Sequence, residues 1–93
     1  MKVTLEDIQA ARKAIANSIN VTVCDYSRSA SSIAATEVFL KLENTQRTGS
    51  FKIRGAMNKI ISLTEVEKKC GVIACSAGNH AQGVALSSTI HGV

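Results

Sequence analysis

The stretch NTQRTGSFKIRGAMNK, residues 44–59, decides how this chain is read. It passes from turn-forming residues into a helix, with Ser50 placed to cap it. Ile53, Ala56, Met57, Ile60 and Ile61 recur at helical spacing and form the apolar stripe. Lys52 falls in the first turn, where the positive end of the macrodipole repels an ammonium. Helix-stabilising lysines belong at the other end. A helix N-terminus and partial desolvation both favour a neutral amine there, and a neutral lysine amine forms Schiff bases. On spacing alone, a solvent-exposed lysine that follows a turn is the commoner case, so both readings stay open at this point.

Working outward, Thr4 caps a first helix that starts near Leu5, with Glu6 and Asp7 in its first turn. Leu5, Ile8, Ala11, Ile15 and Ile19 give that helix one apolar face. VFLKL, residues 38–42, is a strand candidate. Residues 20–36 read as an irregular loop linking the first helix to that strand, with 31–35 as a candidate helical patch. GVIAC, residues 71–75, is a continuous apolar run and reads as a buried strand. SAGNHAQG then opens a last helix through about Ile90, with Gly92 as its C-cap. Glu65 to Lys69 read as a solvated charge cluster.

Strand, helix, strand, helix predicts an α/β fold, with an N-terminal helix followed by a parallel, right-handed βαβ unit. Ligands of such sheets bind outside the carboxyl ends of the strands, so Lys52 and Asn79 are expected to meet at that edge. Small residues in both turns let backbone approach a ligand closely, and free N–H groups at helix starts bind anions. Two strands do not make a covered parallel sheet. Residues 1–93 are therefore read as a single partial domain, the front end of a longer α/β protein.

Composition narrows the function classes. With 45% hydrophobic and 19% charged residues, the 93-residue chain is a globular core-former. Its net charge of +4 comes from scattered lysines and arginines without interleaved aromatics, which argues against nucleic acid. The basic excess suits a phosphorylated small ligand. No apolar run is long enough to span a bilayer, and the first 15 residues show no signal-peptide core. Cys24, Cys70 and Cys75 are odd in number and lack metal-site spacing, so we expect no metal and a reducing, cytoplasmic setting, with buried structural thiols as the default.

KLENTQRTGSFKIRGAMNKI and CSAGNHAQGVALS together resemble the pyridoxal-phosphate enzymes of fold type II, the tryptophan synthase β-subunit family. Within that family they are most similar to the threonine (serine) dehydratase branch of the catabolic type. The resemblance runs from about Val38 to Val93 and more weakly back through the first helix. It implies that Lys52 carries pyridoxal 5′-phosphate as a Schiff base and that Phe51 packs against the pyridine ring. It implies that Asn79 hydrogen-bonds the cofactor's phenolic oxygen. Ser76, Ala77, Gly78, Asn79 and His80 match the loop that holds the substrate carboxylate. The implied reaction is β-elimination from L-threonine or L-serine to a 2-oxo acid and ammonia, in a homo-oligomeric parent enzyme.

Finer features separate the branches. Cysteine synthases show an SVKDR-like lysine motif and a TSGNTG-like loop, where this chain has SFKIR and SAGNH. Serine racemases place a second serine in the loop as a proton donor, and here that position is Ala77, which favours elimination. The family's TPL…S-like segment is TVCDYS here: Val23 stands where a proline is expected, and Thr22 and Ser27 still match. An altered loop is expected there. Beside each role stands a plainer one: His80 and His91 as packing residues, Ser50 as a cap only, Arg54 as a surface charge, Gln82 as a solvent-facing side chain. Three alternatives remain: an inactive truncated fragment, a non-catalytic anion-binding or interaction module, and a related fold type II enzyme such as serine racemase.

Overall fold

A computed structural model describes residues 2–93. Helix α1, Leu5–Ile15, begins at a reciprocal capping box: the Thr4 hydroxyl accepts from the Asp7 N–H, and the Asp7 carboxylate accepts from the Thr4 N–H at 2.9 Å. Only Ile15 of its apolar face is buried; Leu5 and Ile8 are exposed, and Ile19 lies beyond the helix end. The segment read as a loop over 20–36 contains two elements. Strand β1 spans Cys24–Tyr26, and helix α2 spans Arg28–Ala34, capped by the Ser27 hydroxyl. Strand β2, Phe39–Lys41, pairs with β1 antiparallel, in the register Cys24↔Lys41, Asp25↔Leu40 and Tyr26↔Phe39. Tyr26 and Phe39 meet edge to face, with centroids 5.7 Å apart.

The parallel βαβ pairing expected from the sequence is therefore absent among the described residues. The strand at 38–42 forms, but its partner is the segment before it rather than 71–75. Residues 71–75 carry no regular structure and pair with no strand; they are exposed, Ile73 fully so. A parallel strand has no local partner and needs neighbours reached by long connections on both sides. The apolar run thus marks the kind of surface a parallel sheet covers, and no such neighbour lies within the described residues.

Helix α3, Lys52–Ile61, follows a 3₁₀ turn at Glu43–Thr45. Of its expected stripe Ile53, Ala56, Met57 and Ile60 are buried and Ile61 is half-buried; Ile53, Met57 and Ile15 form the core cluster. Helix α4, Glu65–Cys70, occupies the predicted charge cluster and starts at a second capping box between Thr64 and Glu67. Helix α5, Asn79–His91, ends at Gly92, whose φ of 67° is the left-handed conformation that glycine adopts without strain. The three cysteines expected in the interior are all free and exposed.

The main packing layer is α5 on α3, with α1 also packed on α3 through Ile15. The accessible surface is 6890 Å², against ~5200 Å² expected for a compact protein of this mass. The radius of gyration is 15.8 Å, against ~12 Å for a compact chain of this length. A small core around α3 thus carries much apolar surface that these residues do not cover themselves.

Candidate functional site

Two helix N-termini define the site. The turn into α3 bends at Gly49, whose φ of 71° few other residues adopt. Ser50 is not the formal cap, because Phe51 already has helical dihedrals; the Ser50 hydroxyl accepts a long bond of 3.4 Å from the Lys52 N–H. Helix ends shift by a residue in this way when the first turn tightens. The Lys52 side chain is exposed and its Nζ lies 4.8 Å from the Phe51 ring centroid. Among the described residues that amine donates to no protein acceptor.

The second terminus is that of α5. Gly78 is its N-cap and no side chain caps the helix. Within the preceding loop the Ser76 hydroxyl accepts from the Gly78 N–H at 3.2 Å. Ser76, Ala77, Asn79 and His80 are exposed and Gly78 is half-buried. The first amides of α5 therefore face solvent without a side-chain partner, the arrangement that binds anions.

Gly83 brings α5 against the start of α3. A methyl group at Gly83 would lie 3.2 Å from the Cα and N of Ile53 and 3.3 Å from the carbonyl carbon of Lys52. Backbone thus touches backbone at the residue pair that opens α3. Asn79 stands one turn earlier on α5, ~6 Å along the axis. The shared sheet edge at which Lys52 and Asn79 were expected to meet is absent among the described residues; what joins α5 to the start of α3 is the backbone contact at Gly83. No hydrogen bond joins Lys52 to Asn79 among the described residues. His80 turns elsewhere: it lines a groove of about 280 Å³ with Ile60, Val72, Ile73 and Val84. Gln82 is exposed, as read from the sequence.

The turn before α3 is stitched to the segment beyond α1. The Gln46 side chain, 4% exposed, accepts from the Asn20 N–H at 2.8 Å and donates to the Asn20 carbonyl at 2.9 Å, imitating one rung of a strand ladder. Arg47 donates to the Ser18 carbonyl at 2.9 Å. Arg54, read as a surface charge, is instead bidentate on Glu43, its Nε and Nη2 donating at 2.8 and 2.7 Å. The buried Thr22 hydroxyl donates to the same carboxylate. These donors, Arg54 foremost, hold the Glu43 carboxyl down at about 2, below its ordinary 4.5. Val23, in the place of the expected proline, uses its carbonyl to accept from Leu42 at 2.9 Å, and the Ser27 hydroxyl caps α2. The altered residue thus sits within regular pairing.

Glu43, Gln46, Arg47 and Gly83 carried no functional reading in the sequence. Their partners lie 11 to 31 positions away, out of reach of periodicity, and only KLEN and AQG hinted at them. A separate cleft of about 430 Å³, lined by Arg12, Lys41 and Arg54 among others, includes neither Lys52 nor the 76–80 loop.

Known proteins resemble this chain closely. It is 54% identical over 91 residues to an L-threonine ammonia-lyase of Thermotoga maritima, covering 98% of this chain and 23% of that protein. It is 53% identical over its whole length to the catabolic L-threonine dehydratase TdcB of Escherichia coli K12, covering 28% of it. The chain thus spans about a quarter of the length of these relatives. Its backbone matches a T.th. threonine deaminase with a TM-score of 0.82 at 41% identity, over 98% of this chain and 32% of the other. It also matches a serine racemase from Dictyostelium discoideum with a TM-score of 0.89 at 43% identity, over 98% and 30% respectively. Residues 15–93 match the family model described as pyridoxal-phosphate dependent enzyme, and the chain belongs to that family.

Proposed function

We propose that residues 1–93 are the lysine-bearing portion, a partial domain, of a threonine dehydratase acting by β-elimination on L-threonine or L-serine. The observation that carries this reading is the junction at Gly83, which packs the second turn of α5, one turn beyond its uncapped N-terminus, against the start of α3, where Lys52 is exposed and unpaired. The residues present suit pyridoxal 5′-phosphate. A free primary amine meets an aldehyde's need, the Phe51 ring beside it offers a flat apolar face, and open helix amides suit anionic groups.

When bound, the cofactor supplies an electron sink for the charge that develops at Cα. Lys52 would hold the cofactor covalently through its amine, and the same amine, when free, would serve as the base that takes the Cα proton. The N–H groups from Ser76 to His80 would hold the substrate carboxylate, and Asn79 would donate to the cofactor's phenolic oxygen. Ala77 presents no hydroxyl from the loop, so no second proton donor is available there, which favours elimination over racemisation. Three exposed, unpaired thiols favour a reducing, cytoplasmic location. No helix among the described residues is long and apolar enough to cross a membrane. The amino acid is the partner of the site, and a homo-oligomeric parent remains part of the proposal.

The 93 residues alone are expected to be inactive, so the test is borohydride reduction of the full-length parent protein with pyridoxal phosphate, followed by peptide mapping and an assay for 2-oxobutanoate from threonine. Pyridoxyl mass on Lys52, together with product lost in Lys52→Ala, is the expected result. Label on another lysine would reject the assignment.

A further inference from the structure

One carboxylate closes three segments of this chain. Glu43 receives the Arg54 guanidinium on both oxygens, at 2.8 and 2.7 Å, and also the Thr22 hydroxyl. Its own residue opens the 3₁₀ turn that leads toward α3. Its side chain is 13% exposed and that of Arg54 32%, so the carboxylate is the shielded partner while the guanidinium still meets water. Arg54 lies two residues after Lys52, ~200° around the helix, so the carboxylate grips α3 on the face away from the lysine. Gly83 bears on the Lys52–Ile53 backbone from α5, and Gln46 ties the preceding turn to Asn20. The Lys52 side chain is left free while the backbone that carries it is held on several sides.

We propose that Glu43 is a positioning residue for Lys52, locking the first turn of α3 in the orientation that presents the lysine amine to the cofactor aldehyde. The inference rests on the reading of Lys52 given above. A carboxylate is required rather than an amide. Both of its oxygens accept, whereas the NH₂ of glutamine would point a donor at the guanidinium. The bond that forms joins Lys52 Nζ to the aldehyde carbon with loss of water, and its rate depends on how the amine is aimed.

The experiment tracks adduct formation between the full chain and pyridoxal phosphate by visible absorbance, with borohydride trapping and peptide mapping to locate the label. Glu43→Gln should slow formation on Lys52 about ten- to hundredfold at saturating cofactor, the loss typical of a misplaced reacting group. The half-saturating concentration should change little, which general loosening of the fold would not spare. Arg54→Met should match it, and the double variant should be no slower than either single, because the two side chains act as one unit. Thr22→Val, which leaves the ion pair intact, should give a smaller slowing and serves if the charge variants do not fold. Wild-type rates in both Glu43→Gln and Thr22→Val, or additive losses in the double variant, would overturn the proposal while leaving Lys52 in place. Label persisting in Lys52→Ala would overturn the reading of Lys52 and this proposal with it.

Discussion

Gly83 and Ile53 meet backbone to backbone: a methyl group at Gly83 would fall 3.2 Å from both the Cα and the N of Ile53. Ile53 is fully buried and immediately follows Lys52, so α5 presses on α3 at the base of the candidate reactive turn.

Substitution at Gly83 tests that contact. Gly83→Ala gains ~1 kcal/mol of helix propensity but must move two helices apart by a few tenths of an ångström, because the opposing atoms are backbone. The two effects nearly cancel, and a small net loss is expected. Gly83→Val adds bulk without a comparable gain and should destabilise by about 1–3 kcal/mol, as overpacked cores do. Urea midpoints of the three chains should fall in the order Gly, Ala, Val. A valine variant as stable as the parent would show that α5 does not press on α3 here.

Acid should weaken the tie between the turn and α3 over a definite interval. The Glu43 carboxyl titrates at about 2 when folded and near its ordinary 4.5 when unfolded. A depressed folded value stabilises fully above 4.5, and the stabilisation is lost as pH falls through about 2. Urea denaturation at successive pH values should therefore show the parent losing stability between these limits more steeply than Glu43→Gln. Identical slopes would mean that Arg54 and Thr22 do not hold the ionised form.

The α4 capping box predicts a local effect. Thr64 accepts from the Glu67 N–H and Glu67 accepts from the Thr64 N–H, and the helix buries no residue of its own. Thr64→Ala should cost about 0.5–2 kcal/mol, confined to α4. Amide exchange at Glu67 and Lys68 should accelerate while that of Met57 and Ile60 stays unchanged. Acceleration spreading into α3 would show that α4 is coupled to the core.

The range of each interaction decides whether it was legible in the sequence. Thr4, the α3 stripe and the Gly92 cap were legible because each depends on residues within one or two helical turns. The Thr64–Glu67 box was equally local and was obscured by the charges around it. GVIAC was correctly seen as apolar, but pairing depends on neighbours that its own composition cannot specify. Cys24 and Arg54 were misjudged for the same reason: exposure and partnership belong to tertiary contacts. For the site, the SFK turn and the SAGNH loop were visible as motifs, whereas the Gln46 clamp on Asn20 spans 26 positions and left no periodic trace.

That clamp also has a bearing on time. Helices of this length form within about a microsecond, each from its own residues. Asn20–Gln46 and Ser18–Arg47 bring together chain positions 26 and 29 apart, so each requires closure of a long loop before any bond rewards it. The α3 helix can thus exist before its first turn is anchored, and the end that bears Lys52 is expected to settle last. In pulse-labelled refolding, protection at Asn20 should lag behind protection at Met57; simultaneous protection would show that helix and anchor form as one unit. Chemical competence would then arrive after secondary structure is complete, which makes this turn the late checkpoint of the molecule's own assembly.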